Sequence, residues 1–365
     1  VKKIIRYIGS KEKLLDFLSE TIFNEYKNKQ INFLDGFTGT SVVSKHCQEN
    51  YDWNLFLSDI SDYSEVISSR LFISLCSPKV FSILRELQKL DNHESLSDEE
   101  LVFFNEFSIK GTPRTVSTEA FSNQDVLSRM FFTEEVGKKI DLMRNHISNL
   151  FNSGEINEYD KRLLLMLVIA FADKNANTTS VYGAYLKKQE RPTVYIPESF
   201  IDLLEEEYKE KPTIPKGFFK GDIITNLKEM PELDVAYFDP PYNTRKYESN
   251  YHILNYISNL NFNISEIKEG SKTGLPSTKT KNLFGSKKGT RVIFKDLIET
   301  GMESSKNIFI SYSSDGEMTK EEVFDICSDN NFEINVYTKD YKKFKANNIE
   351  TAKSLDEIIY HIRRR

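Results

Sequence analysis

Residues 235–243 read VAYFDPPYN. An apolar and aromatic run ends in Asp239, and Pro240, Pro241 and Tyr242 follow at once. Each proline removes a backbone donor and fixes φ, so a strand stops just past the carboxylate and the turn carrying Tyr242 is stiff. A carboxylate held this way accepts hydrogen bonds in a fixed direction. An acidic strand end beside an incidental proline turn has the same local signature. Two more aspartates occupy the same kind of position: INFLD (31–35) ends in Asp35 and WNLFLSD (53–59) ends in Asp59. Ligands of α/β sheets bind beyond the carboxyl ends of the strands, so Asp35, Asp59 and Asp239 are expected to converge on one crevice. Asp59 stands where an acid that grips a ribose diol belongs, or is a solvated strand end. The turn after Asp35 reads GFTGT, and Gly36 and Gly39 permit close approach of a ligand and positive φ. It is not G-x-G-x-x-G and has no phosphate-loop lysine. A nucleotide can lie across it without a pyrophosphate grip, and an ordinary glycine turn fits equally well.

The elements that must position these residues alternate along the chain. Leu14, Leu15, Leu18, Ile22 and Phe23 recur at helical spacing within 10–29. A strand at 31–35, a helix to about Asn50 and a strand at 53–59 follow. From about 62 to 210 the pattern is mostly helical, broken by a polar stretch from Ile109 to Gln124. Further strands are expected at 218–222, 234–239 and 306–313, with helices at 249–260 and 318–328. FEINVYT and the stretch Ile358 to Ile362 are the last strands. Lys268 to Arg291 lacks apolar periodicity and reads as a loop, and the closing RRR at 363–365 as a solvated tail. Alternating strands and helices predict a mostly parallel α/β sheet with an antiparallel pair at the end.

With 365 residues, 39% of them hydrophobic and 28% charged, the chain can bury a sizeable core. The net charge of −6 neither advertises nor excludes a nucleic-acid partner, since a local basic face matters more than the sum. Cys47, Cys76 and Cys327 lie far apart with no C-x-x-C pair, which argues against zinc and against a disulfide framework and suits a reducing cytoplasm. No signal-peptide-like stretch opens the sequence. The longest apolar run, Leu163 to Ala172, is too short for a bilayer and is flanked by charges; a buried helix is expected.

In their order, several motifs resemble the D12-class, Dam-like N6-adenine-specific DNA methyltransferases. YIGSK (Tyr7 to Lys11) resembles the N-terminal aromatic-x-G-x-K element that touches the methyl donor. FLDGFTGTS resembles the donor loop, SDIS with Asp59 the ribose acid, KGDI with Asp222 the acid near the donor's adenine, and DPPY the catalytic motif. SYSSDGE (311–317) resembles the later element near the target base, and VYGAYLKK (Val181 to Lys188) has counterparts in relatives. The sequence departs from the family pattern in the donor loop, where Gly36 replaces a frequent proline and Thr40 the later small residue, and at Tyr7, where tryptophan is frequent. Neither removes a needed chemical group.

The resemblance implies a Rossmann-like methyltransferase domain formed by 1–61 and 215–365, with 62–214 an inserted helical segment that reads DNA. It implies S-adenosyl-L-methionine as donor, held by Tyr7, Lys11, Asp35, Phe37, Thr38, Gly39, Thr40, Asp59, Ile60, Asp222, Ile223 and Asp239. Catalysis falls to Asp239, Pro240 and Tyr242. Adenine N6 is conjugated to the ring and a poor nucleophile. The Asp239 carboxylate and the Pro240 carbonyl can each accept one N6 hydrogen and favour a tetrahedral nitrogen; alignment and charge placement supply most of the effect. The base must leave the duplex, and Tyr242 offers a stacking face. Double-stranded DNA is the expected partner, with a restriction endonuclease possible, and the cytoplasm the expected location. Phosphate contacts are expected from a basic cluster of Lys268, Lys272, Lys279, Lys281, Lys287, Lys288, Arg291 and Lys295, whose alternative is a solvated loop, and Arg245 after the catalytic turn is expected as a DNA contact at the base channel. Asn243, Tyr247 and Tyr251 are further candidates for the base channel. TPRT (112–115) lies in the segment expected to read bases. RNA adenine or protein amide transfer, and a catalytically silent binding module, stay open. A cytosine N4 enzyme would more usually carry serine where Asp239 stands.

Overall fold

A computed structural model describes residues 4–90, 96–109, 128–186, 198–242, 247–277, 287–341 and 355–365. Its frame is one seven-stranded sheet. The strands are β1 (Asn32–Asp35), β2 (Asn54–Asp59), β3 (Gly217–Lys220), β4 (Leu233–Phe238), β5 (Ser305–Ser313), β6 (Phe332–Tyr341) and β7 (Leu355–Arg364). They lie in the order β3-β2-β1-β4-β5-β7-β6. The first five are parallel, and β7 runs antiparallel to both β5 and β6. This is the expected Rossmann-like arrangement, mostly parallel with an antiparallel C-terminal pair. β4 is almost wholly buried, as a central strand covered on both faces must be, which is why it reads as a continuous apolar run. β6 closes the edge and shows solvent-exposed polar side chains, which discourages pairing with another chain.

The chain moves outward from β1 to β2 and β3, then returns to place β4 on the other side of β1. The switch point therefore lies between β1 and β4, where such sheets open a crevice. Asp35 pairs in register with Tyr237, two residues before Asp239, so both carboxylates reach the same crevice. One face of the sheet is covered by the N-terminal helical segment 11–26 and α1 (Val42–Asn50), which bury Phe17, Phe23, Cys47 and Trp53 against Phe33, Val235 and Tyr237. The other face is covered by α8 (Ile223–Glu229), α10 (Lys287–Ser304) and α11 (Lys320–Asp329), packed on Leu34, Ala236, Phe238, Ile308 and Ile310.

Between β2 and β3 the chain forms α2 (Asp62–Ser68), α3 (Val80–Lys89), α4 (Val102–Phe107), α5 (Glu134–Asn152), α6 (Glu158–Asn175) and α7 (Glu198–Glu210). The apolar run Leu163 to Ala172 lies in α6, where Leu163 to Ile169 are buried without a break. An Asn157–Asp160 capping box starts that helix. α9 (Tyr247–Ser258) follows the proline turn and adds Tyr251, Leu254 and Ile257 to the same core. No described helix is long and apolar enough to cross a membrane.

Three local expectations differ from the structure. The segment 11–26 is not a uniform α-helix but passes through a π turn at Ser19–Phe23. Within the expected loop, Ile267 and Pro276 form a bridge that closes a compact turn, and α10 starts as early as Lys287. Its first residues, KKGTR, carry no apolar stripe, and Val292 to Phe294 is where one begins. The closing arginines are not a free tail: Arg363 and Arg364 belong to β7, Arg363 pairs with Glu333 at 2.7 Å, and Arg364 donates to the Met302 carbonyl.

Candidate active site

A cavity of about 670 Å³ opens at the switch point, and every donor-binding candidate lines it: Tyr7, Lys11, Asp35, Phe37, Thr38, Gly39, Thr40, Asp59, Ile60, Asp222, Ile223 and Asp239. Pro240 and Tyr242 complete the wall beside them. The turn after β1 is held by its own residues. Gly36 N–H donates to the Tyr237 carbonyl at 2.8 Å. A Cβ on Gly36 would come within 2.5 Å of the Phe238 ring, so close packing demands glycine here. Gly39 does have a left-handed backbone, with φ +53°, and lies against the Tyr7 hydroxyl. Thr38 Oγ1 lies within hydrogen-bond reach of the Asp35 and Ser58 carbonyls and accepts from Ser58 N–H, which ties the turn to β2.

Asp59 is not a free strand end. One carboxylate oxygen accepts from Gly39 N–H and the other from Ser61 N–H, each at 2.8 Å. The carboxylate is thus fixed in orientation with lone pairs to spare. Burial raises it above the ordinary range, against those backbone donors. Asp35 is buried and accepts from Ser44 Oγ at 2.5 Å; burial pushes it up to about 6, with Asp59 adding to the rise. Asp222 N-caps α8 through Oδ1, accepting from Ile224 and Thr225 N–H. Ile60 is 59% exposed, an apolar side chain at the cavity rim.

The proline turn places Asp239 beside Lys11, with Nζ 3.1 Å from Oδ1. Tyr242 Oη is 2.7 Å from the same Oδ1. The Lys11 ammonium also hydrogen-bonds Tyr242 Oη and sits 4.7 Å from the centre of its ring. Tyr312 meets that ring edge-on at 5.2 Å. Burial pushes the Asp239 carboxyl up to about 7; Lys11 holds it down and Glu357 raises it. Lys11 itself is 6% exposed. Burial alone would lower its ammonium, but Asp239 and Glu357 outweigh this and raise it.

Glu357, which holds Lys11, and Ser44, which holds Asp35, were not singled out by sequence pattern, whereas Ser311, which donates to Glu357, opens the SYSSDGE stretch. Glu357 had a signal: in LDEIIYHI it shares a strand face with Ile359, a charge at a position whose neighbour is buried. Of the base-channel candidates, Tyr251 is buried, stacks on Tyr7 at 4.8 Å and accepts from Ile8 N–H, so it forms part of the packing behind the N-terminal element. Arg245, Asn243, Lys279, Lys281 and the TPRT stretch lie outside the described residues. Lys288 and Arg291 are exposed on α10, away from the cavity wall, and Arg291 lies 3.7 Å from Glu322.

A Rossmann-like sheet with acids at the ends of its strands and a proline turn over its switch point is consistent with a methyltransferase. Comparison with known proteins fixes the family. The model for the D12 class N6 adenine-specific DNA methyltransferases matches residues 7–326, and the chain belongs to that family. It is 30% identical to the Type II methyltransferase M.FokI of Planomicrobium okeanokoites over 99% of the chain and 53% of that protein. It is 29% identical to M.CviAII of Paramecium bursaria Chlorella virus 1 and 30% identical to M.NlaIII of Neisseria lactamica, covering 98% and 94% of those proteins. The chain thus spans about half of M.FokI and nearly all of the other two. Family membership makes it an adenine-specific DNA methyltransferase.

Proposed function

We propose that this chain transfers a methyl group from S-adenosyl-L-methionine to N6 of an adenine turned out of duplex DNA. The observation that carries the reading is the charge of the cavity. Among the described residues that line it, Lys11 is the sole basic side chain, set against Asp35, Asp59, Asp62, Asp222, Asp239 and Asp296. Such a wall repels phosphates and favours a cation. S-adenosylmethionine is cationic at sulfur and at its amino group, and when bound it supplies an electrophilic methyl group.

The protein's part is binding and alignment. Asp59, oriented by two backbone N–H groups, meets the ribose diol. Asp222 uses Oδ1 on its own helix and keeps the other oxygen for an adenine amine. Ile60 and Ile223 supply apolar faces for the purine, and Asp35 faces the amino group. Asp239 and the Pro240 carbonyl each accept one N6 hydrogen. This turns the nitrogen lone pair out of conjugation, and ionised Asp239 is placed to take the proton that N6 sheds. The rigid turn makes this alignment pre-formed. Residues 1–61 and 215–365 act as the catalytic domain, and 62–214 with the basic residues Arg245, Lys279, Lys281, Lys287, Lys288 and Arg291 engages DNA. The Type II relatives suggest pairing with a restriction endonuclease.

Labelled-methyl transfer to DNA, RNA and protein separates this from its rivals. N6-methyladenine is expected in duplex DNA alone. Label in RNA or protein with none in DNA would overturn the assignment.

A further inference from the structure

One buried charge at the site has no part in holding the donor or accepting from N6. Glu357 is the third residue of β7 and is 6% exposed. β7 runs against β5 and β6, so its first residues, unlike those of the parallel strands, come to the end of the sheet where the cavity opens. Glu357 Oε1 accepts from Lys11 Nζ at 2.5 Å, from Ser311 Oγ at 2.5 Å and from Tyr242 Oη at 2.9 Å. A buried carboxylate without such partners would be costly.

The consequence lies at Asp239. One ammonium stands between two carboxylates, and the Tyr242 hydroxyl touches both. That hydroxyl has one proton, so it donates to Asp239 or to Glu357, and the Lys11 ammonium serves the other. Both contacts to Asp239 fall on Oδ1; among the described residues Oδ2 accepts none. Without Glu357 the ammonium would pair with Asp239 alone and compete with N6 for it. Resting on the methyl-transfer reading above, we propose that Glu357 is a positioning residue for the reaction: it draws the Lys11 ammonium and the Tyr242 hydroxyl to the Oδ1 side of Asp239 and leaves Oδ2 open to the adenine amine.

The charges around Asp239 agree with this role. Lys11 faces it from the N-terminal segment, Asp35 from β1, Tyr237 from β4, Tyr242 from the turn and Glu357 from β7. Burial sets the carboxyl high, Lys11 pulls it down, and Glu357 and Asp35 push it up. Loss of the Glu357 charge moves Asp239 toward the ordinary carboxylate range and tightens its pairing with Lys11.

Glu357→Gln keeps the shape and removes the charge. The single-turnover rate of methyl transfer should fall about tenfold or more, as expected for a misaligned acceptor. Affinity for S-adenosylmethionine, read by calorimetry, should stay within about twofold. The acid limb of kcat/KM should move to lower pH. In the protein without donor, the carbon-13 carboxyl resonance that disappears in Asp239→Asn should titrate at lower pH in Glu357→Gln than in wild type. A wild-type rate with an unmoved carboxyl titration overturns the proposal. Should Glu357→Gln not fold, Ser311→Ala removes one neutral donor from Glu357 and carries the test: a smaller loss of rate at unchanged donor affinity supports the role, and a wild-type rate overturns it. A wild-type protein that transfers no methyl to DNA refutes the assigned reaction, whereas an active wild type with an equally active Glu357→Gln refutes the role of Glu357 alone.

Discussion

Replacing Asp239 with asparagine should slow transfer sharply and at the same time stabilise the protein in the absence of donor. The carboxyl is pushed from 3.8 to about 7, with burial the largest cause. An acid raised in this way binds its proton more tightly in the folded than in the unfolded state. Below 3.8 both states are protonated and the burial costs nothing; the cost grows through the window up to about 7 and is complete above it. A value about 3 above the ordinary one, at about 1.4 kcal/mol for each, sets an upper bound of roughly 4 kcal/mol. The Asp239 side chain is 19% exposed, so solvent screening trims this only in part. Asparagine is never ionised and escapes the cost, while Lys11 keeps Glu357 as its partner. For a chain this long, each kcal/mol moves the melting temperature by about 1–2 °C, so the variant should melt up to about 8 °C higher near pH 8 and much closer to wild type near pH 5. Methyl transfer should fall at least about a hundredfold, since the N6 acceptor has lost its charge. Thermal unfolding of both proteins without donor, across this pH range, measures the difference. A stability difference that is independent of pH would refute the burial argument, and near-normal turnover would refute the role of Asp239 in transfer.

Asp59→Ala should weaken S-adenosylmethionine binding about tenfold or more in calorimetry, because a charged, oriented acceptor is removed; DNA affinity without donor should not change. Gly36→Ala should destabilise the fold by about 1–3 kcal/mol in urea unfolding, because its Cβ lands 2.5 Å from the Phe238 ring and the sheet must give way. Replacing Lys279, Lys281, Lys287 and Lys288 with alanine should flatten the dependence of log DNA affinity on log salt by roughly one for each phosphate no longer neutralised. Parallel salt lines for the wild type and that variant would mark these lysines as a solvated face.

The three strand-end aspartates were legible because the information is local. A short apolar run gives a strand, and glycine or proline stops it, so Asp35, Asp59 and Asp239 fall at carboxyl ends without any knowledge of pairing. Their convergence followed from a general property of parallel sheets, and the donor candidates all line one cavity. The sequence likewise carried the buried character of α6, since an apolar run of that length admits few other environments. It did not reveal the start of α10, because KKGTR has no apolar face until the chain reaches Val292. Nor did it reveal why Gly36 is glycine: the reason is the Phe238 ring, far away along the chain and adjacent only in the sheet. The seating of β7 between β5 and β6 is decided by long-range hydrogen bonding, which leaves no local pattern. That seating brings Glu357 to Lys11 across 346 residues of chain. A buried ion pair of this kind depends on where two distant backbones meet and on how little water remains between them, and both are properties of the packed molecule alone.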